Sequence, residues 1–189
     1  MTQAARLLRL SWRGLKSAVN PVAFCSDQQG AAAVEAGIFF VLLSLVFANV
    51  TDVSIYVYQR MQVENATHVA AQAAYRTCAA QLPATQNCGG LIDAMQSALK
   101  STSLGANVTL VSGSPTEGYY CINSTGALQY VSDVSTKPAD CTAAGMPALK
   151  PADYIQVQTT FTYKPLFQSL SVTNSFPAQI TQTALLRLG

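Results

Sequence analysis

The chain has 189 residues, of which 50% are hydrophobic and 11% are charged, and its mean hydropathy is +0.24. This composition suits one membrane segment and one modest globular domain, and it leaves no room for two large domains. The net charge of +2 arises in the first 30 residues, which hold Arg6, Arg9, Arg13 and Lys16 against Asp27. Seven basic and eight acidic residues remain beyond them, so the sequence offers no basic surface for a nucleic-acid partner.

A hydrophobic run follows this basic segment. Residues 36–50 carry no charge, and with their flanks they reach the ~20 residues that a membrane-spanning helix needs. Because the positive charges precede the run and no comparable cluster follows it, we predict a cytoplasmic leader over 1–30, a spanning helix over 31–52 and an exported remainder. Glu35 lies near the start of the run, where a carboxylate is disfavoured less than at the bilayer centre but still needs a functional reason.

Two other fates of the N-terminus stay open. Residues 46–48 fit the small-x-small pattern of a signal peptidase site, and cleavage there releases a soluble protein that begins at Asn49. About twenty residues of mixed character separate Lys16 from the apolar core, which argues against a signal peptide. A lipoprotein site at Cys25 is weaker, because no apolar core precedes it. Under these alternatives the chain is an exported binding domain, membrane-anchored or released, that does not polymerise.

The helix is expected to continue outside the membrane. Residues 51–80 contain no proline or glycine, so the sequence predicts one helix over about 31–80, with its exported part assigned to 53–82. A stripe of small residues at helical spacing predicts that a sheet or a partner helix approaches this part closely. The stripe consists of Val63, Ala66, Ala70, Ala73 and Ala74.

Residues 83–189 are predicted to form an α+β head. A short helix is expected over 91–99, and strands are expected at 108–111, 119–122, 128–131, 154–163 and 180–188. The turn candidate at 123–126 separates the second strand from the third. Polar and apolar residues alternate along 154–163, as a strand with one buried and one solvated face requires. The predicted fold class is therefore α+β, with a long N-terminal helix packed on a small antiparallel sheet.

Four cysteines lie beyond the membrane segment, namely Cys78, Cys88, Cys121 and Cys141. An even number of exported cysteines indicates two disulfides in an oxidising compartment. Three pairings are possible. We favour Cys78 with Cys88 and Cys121 with Cys141, because each of these pairs brackets a loop with turn-forming residues.

The residues around Glu35 resemble a prepilin peptidase site. Such peptidases cut after a glycine and leave a glutamate as the fifth mature residue, and here the sequence GAAAVE spans residues 30–35. The run from 30 to about 80 is similar to the N-terminal region of TadE-like proteins, the minor pilins or pseudopilins of tight-adherence (Flp-type) pili. The shared features include the apolar span, Asp52 just beyond it, and an aromatic and basic patch at Tyr56, Tyr58 and Arg60.

This resemblance implies a pilin-like α+β fold and a structural role in pilus assembly or priming. It implies that Gly30 and Ala31 form the processing site, and that Glu35 neutralises the new α-amine of a neighbouring subunit during assembly. The implied partners are a prepilin peptidase, the major pilin, other minor pseudopilins and the inner membrane. The implied location is a single-pass inner-membrane protein with a periplasmic or extracellular head, which is incorporated in a pilus.

Catalysis finds little support in the sequence, and we expect no enzyme activity, no cofactor and no metal. The only histidine, His68, falls on the expected long helix, where a packing or polar role is far commoner than that of a general base. The exported cysteines include no Cys-x-x-Cys pair. The sequence also contains no Gly-rich phosphate loop and no Gly-x-Ser-x-Gly motif.

Overall fold

The computed structural model describes residues 28–189 of the protein. The expected basic leader, including Cys25, lies outside the described residues except for its last three positions. The chain divides between Phe47 and Ala48 into an N-terminal unit and a C-terminal unit. The described part of the N-terminal unit is helical throughout.

Helix α1 spans Gln28–Cys78, and these bounds are close to the predicted range of 31–80. Its length follows from the absence of proline and glycine beyond Gly37, because these are the residues that most disfavour a helix interior. Arg76 lies in the last turn, where a positive charge interacts favourably with the helix dipole.

The C-terminal unit adds two short helices and five strands to the outer part of α1. The helices are α2 (Ala84–Asn87) and α3 (Leu91–Lys100). The strands are β1 (Val108–Leu110), β2 (Thr116–Ile122), β3 (Leu128–Asp133), β4 (Ala152–Thr162) and β5 (Gln179–Arg187). Each predicted strand is present with ends shifted by a few residues. Among residues 28–189 the sequence analysis missed α2 and three short 3-10 turns.

Strand β4 is the centre of a fully antiparallel sheet. β5 pairs with it from Tyr154 to Thr162 along one edge. β2 pairs with the beginning of β4, β1 pairs with its end, and β3 pairs with β2. Since β1 and β2 pair with residues of β4 that also pair with β5, they share the opposite edge of that strand. The long helix and this sheet confirm the predicted α+β fold class.

The core lies between one face of the sheet and the small-residue stripe of α1. The inward residues of β4 are buried, as the alternation predicted: Ile155, Val157, Thr159 and Phe161. The predicted stripe is confirmed at Val63, Ala66, Ala70 and Ala74, which are fully buried, whereas Ala73 is only half-buried. The hydroxyls of Thr67 and Thr159 lie 2.6 Å apart and form a buried hydrogen bond between helix and sheet. Small side chains thus let the helix backbone approach the sheet closely.

The β2–β3 pair contains two positions that depend on local geometry. A Cβ at Gly118 would lie 2.6 Å from Cε2 of Tyr130 and 3.0 Å from the backbone oxygen of Ser132, so only glycine fits there. In the predicted turn, Oδ1 of Asn123 accepts hydrogen bonds from later residues of the turn, and Gly126 has a φ of 81°. The left-handed backbone at Gly126 explains why glycine ends the turn.

Candidate functional site

The processing and assembly residues expected from the sequence lie near the start of α1. Gly30 is exposed, and a Cβ built on it would meet no atom of the described residues within 4 Å. Packing in the described part of the chain therefore does not require a glycine at this position. Glu35 is exposed and follows Ala31 by four residues, which is about 6 Å along a helix axis.

The helix around Glu35 has an exposed apolar surface. Eight large apolar side chains between residues 34 and 47 are 58–67% exposed: Val34, Ile38, Phe39, Phe40, Val41, Leu42, Val46 and Phe47, with Leu42 at 59%. The helix is long and apolar enough to cross a membrane, and none of its most apolar window is buried by the described residues. An apolar surface of this extent requires lipid or other protein to cover it, because water disfavours it.

Where this apolar run ends, Asp52 connects α1 to the loop between β4 and β5. Its side chain is fully buried, and its carboxylate accepts hydrogen bonds from the backbone N–H groups of Leu166 (2.9 Å) and Phe167 (3.1 Å). The hydroxyl of Tyr163 donates to the backbone oxygen of Asp52 at 3.1 Å. The ring of Tyr56 packs edge-on against Tyr163, with centroids 5.0 Å apart. The sequence analysis noted Asp52 and Tyr56 only as family features, because their partners lie more than 100 residues away.

Two disulfides close loops in the C-terminal unit. The structure joins Cys78 to Cys88 and Cys121 to Cys141, which is the nearest-neighbour pairing. The first bond connects the end of α1 to the residue after α2, and the second connects β2 to the segment before β4. Both half-cystine pairs are buried. Their effect is to restrict the unfolded chain and so to stabilise a small head.

Two acidic residues, Glu117 of β2 and Asp153 of β4, lie close together on neighbouring strands of the sheet. Glu117 accepts hydrogen bonds from the backbone N–H groups of Ala84 (2.7 Å) and Thr85 (2.6 Å), so it caps α2. Asp153 is buried, and this burial, together with the negative charge of Glu117, raises its pKa to about 6. The positive charge of Lys137 opposes the shift. The amine of Lys137 and the phenol of Tyr119 lie near this pair, and the hydrogen bonds from α2 to Glu117 give the pair a structural role.

A surface cleft along α1 is lined by Tyr58, Met61, Gln62, Glu64, Asn65 and His68. His68 is exposed on α1. No cluster of three histidine, cysteine or acidic side chains in the described part of the chain is placed to hold a metal. A cleft of about 220 Å³ between α3 and β1 is lined by Gln96, Leu99, Lys100, Ala106, Val108, Thr109 and Leu110. These residues include no carboxylate, histidine or cysteine that could act as a general base or nucleophile.

Within residues 28–189, these features define one helix that is able to cross a membrane and a disulfide-closed α+β head. Residues 30–72 match the family model of TadE-like proteins, which confirms the resemblance carried by the sequence around Glu35. The match covers the helix and ends before the sheet begins. No curated protein and no solved structure matches the chain. The similarity to TadE-like proteins is therefore a similarity of α1.

Proposed function

We propose that this protein is a minor pilin or pseudopilin, a structural subunit needed for the assembly or priming of a tight-adherence pilus. The observation that carries the proposal is that the TadE-like match, over residues 30–72, includes the exposed apolar part of α1. A helix of this kind is suited to two environments. Lipid covers it before assembly, and the helices of neighbouring subunits cover it afterwards.

Movement between these environments requires a specific attraction between subunits. Apolar side chains gain little when they leave lipid for a helix bundle, because lipid tails are as apolar as the side chains. Packing and polar contacts must therefore provide the selectivity. Glu35 is the one carboxylate in the apolar part of α1, which makes it the residue most suited to this task.

The partner of Glu35 would be created by processing. Cleavage after Gly30 by a prepilin peptidase frees the α-amine of Ala31, a positive charge in or next to lipid. An unpaired amine and an unpaired carboxylate are both costly in that environment. A Glu35 from one subunit and an Ala31 amine from its neighbour would neutralise each other. This pairing would align an incoming subunit with the growing assembly.

The remaining parts of the proposal follow from this role. The partners are the prepilin peptidase, the major pilin and other minor pseudopilins. The protein is anchored in the inner membrane, with its N-terminus in the cytoplasm and its head exported. The two disulfides support an oxidising compartment for the head. In this proposal the protein acts by assembly rather than by catalysis.

The first experiment is to measure the intact mass and the N-terminal residue of the protein from its native membrane. A chain that begins at Ala31 supports prepilin-type processing. A chain that begins at Asn49, or one that retains Met1, contradicts the proposal and favours an exported domain that does not polymerise.

The second experiment compares Glu35→Gln with Glu64→Gln. Glu64 is an exposed carboxylate on the exported part of the same helix, so it is a matched control for loss of one charge. We expect Glu35→Gln to reach the membrane normally but to lower the yield of pili by about tenfold or more, equivalent to at least ~1.4 kcal/mol of lost subunit interaction. The control should leave the yield unchanged. Equal yields from both variants would refute the role of Glu35.

A further inference from the structure

The loop between β4 and β5, residues 163–178, exposes several large apolar side chains. Five of them are exposed: Leu166 (66%), Leu170 (59%), Val172 (54%), Phe167 (40%) and Phe176 (37%). Two polar residues of the loop, Ser171 and Thr173, are buried, whereas its other polar residues, such as Gln168 and Asn174, are exposed. So many neighbouring exposed apolar side chains indicate an interaction surface.

Hydrogen bonds hold the loop in this orientation. The hydroxyls of Ser171 and Thr173 lie 2.6 Å apart, and the hydroxyl of Tyr163 lies 3.3 Å from that of Thr173. The backbone N–H of Ser171 donates to the backbone oxygen of Phe167 at 3.0 Å. The inward polar contacts therefore fix which side chains point outward.

The loop is attached to α1 at the end of its apolar run. Oδ1 of Asn49 accepts a hydrogen bond from the backbone N–H of Val172 at 2.7 Å. The carboxylate of Asp52 accepts the two bonds from Leu166 and Phe167 described above. Residues 36–50 are the charge-free core of the membrane span. The exposed apolar side chains of the loop therefore lie beside the turn of α1 that leaves the hydrocarbon region.

The charge of the loop suits a phospholipid surface. Lys164 is the only charged residue of residues 163–178, and it is exposed. The loop contains no aspartate or glutamate that anionic headgroups would repel. A surface that combines apolar side chains with a nearby basic residue is typical of segments that insert shallowly into a membrane interface.

We propose that this loop is a membrane-docking surface: Leu166, Phe167, Leu170 and Val172 insert into the lipid leaflet on the head's side of the membrane. The inserted side chains then lie about 5–10 Å deep, at the boundary between headgroups and acyl chains. It gives the head a second attachment beside α1 and fixes the face that it presents to other proteins. The inference depends on α1 spanning a membrane and is independent of a role in pilus assembly.

The test places a fluorophore on the loop of the full chain. In a Cys25→Ser background, Leu170→Cys is labelled with an environment-sensitive dye, and Ser124→Cys in the exposed β2–β3 turn is the control. Val172→Cys provides a second loop position in case the first substitution disturbs the loop. Each protein is placed at one chain per nanodisc of phosphatidylcholine and phosphatidylglycerol. Aqueous iodide and spin-labelled lipids then quench the dye from the water side and the lipid side.

At the loop positions we expect the dye emission to be blue-shifted and the quenching by iodide to be at least about threefold weaker than at residue 124. Lipids with a shallow spin label should quench the dye at the loop positions and not at residue 124. Equal iodide quenching at all three positions would overturn the proposal. Protection that appears only when many copies share one vesicle would also overturn it, because the loop would then contact a neighbouring subunit. Neither outcome bears on cleavage at Gly30, so this test and the test of pilus function fail separately.

Discussion

Substitution of Asp52 by alanine should detach the β4–β5 loop from α1 while leaving the helix intact. The carboxylate is fully buried and accepts two backbone hydrogen bonds, at 2.9 and 3.1 Å. Asp52→Ala removes both acceptors and leaves the N–H groups of Leu166 and Phe167 without them. Asn49→Ala removes a neutral acceptor from the exposed hydrogen bond with the N–H of Val172, at 2.7 Å.

The magnitudes follow from the kinds of bond. A hydrogen bond to a charged group contributes roughly 1.5–3 kcal/mol and a neutral one roughly 0.5–1.5 kcal/mol. We therefore expect Asp52→Ala to destabilise the loop by about 3–5 kcal/mol and Asn49→Ala by about 1 kcal/mol. The destabilisation by Asp52→Asn should fall between these two values, because one of the two carboxylate oxygens becomes an NH₂ group that faces an N–H donor.

Hydrogen exchange of the full chain in nanodiscs measures this effect at the affected amides. Because ~1.4 kcal/mol corresponds to a factor of ten, the amides of Leu166 and Phe167 should exchange at least about 100-fold faster in Asp52→Ala, up to the unprotected rate. Ser54→Ala is the matched control, because its hydroxyl bonds only to Val50 of its own helix, at 2.7 Å. Unchanged exchange at Leu166 and Phe167, or an equal acceleration in the control, would refute the reasoning.

Three further predictions concern the stability of the head, each measured by denaturant unfolding of the full chain in detergent. The pKa of Asp153 is raised from 3.8 to about 6, so the folded state holds its proton more tightly and stability falls as the pH rises from about 4 through 6. Asp153→Asn should therefore raise the free energy of unfolding at pH 7.5 by about 1–2 kcal/mol, after allowance for solvent screening, and by less at pH 4.5. Asp133→Asn should give no such gain, because hydrogen bonds from Ser135 lower the pKa of Asp133. A gain in both variants would contradict the raised pKa of Asp153 as the cause. Ala70→Leu should overpack the helix–sheet interface and destabilise the head by about 1–3 kcal/mol, and a neutral result would show that the stripe is not tightly packed. Replacing Cys78 and Cys88 together by serine should lower stability by about 2–3 kcal/mol for a loop with a sequence separation of 10, and a variant as stable as the wild type would exclude that contribution.

Local patterns were sufficient to predict the main elements. The charge-free run and the absence of helix breakers predicted α1 almost to its observed end at Cys78. The alternation along 154–163 predicted both the strand and its buried face, because side chains of a strand point to opposite sides in turn. In these cases the residues that determine the structure are neighbours in the sequence.

The contacts that join these elements could not be predicted from one sequence. The bonds from Asp52 to Leu166 and Phe167 connect residues separated by 114 and 115 positions. The exposure of apolar side chains in the β4–β5 loop could not be predicted either, because a run such as Leu-Ser-Val-Thr at 170–173 has the same pattern as an ordinary strand. Helix α2 was missed because its four residues are too few to show helical periodicity.

The core of the head is built from parts of the sequence that are far apart, and this determines when the head can fold. The stripe of α1 around Ala66 and Ala70 shares one core with Val157 of β4 and Ala184 of β5. The stripe is thus covered by strands that are synthesised much later than the helix. Because these contacts join distant parts of the sequence, most of the core cannot form before β4 and β5 are available. Until then the stripe stays uncovered, and premature association through it is the hazard that folding must avoid.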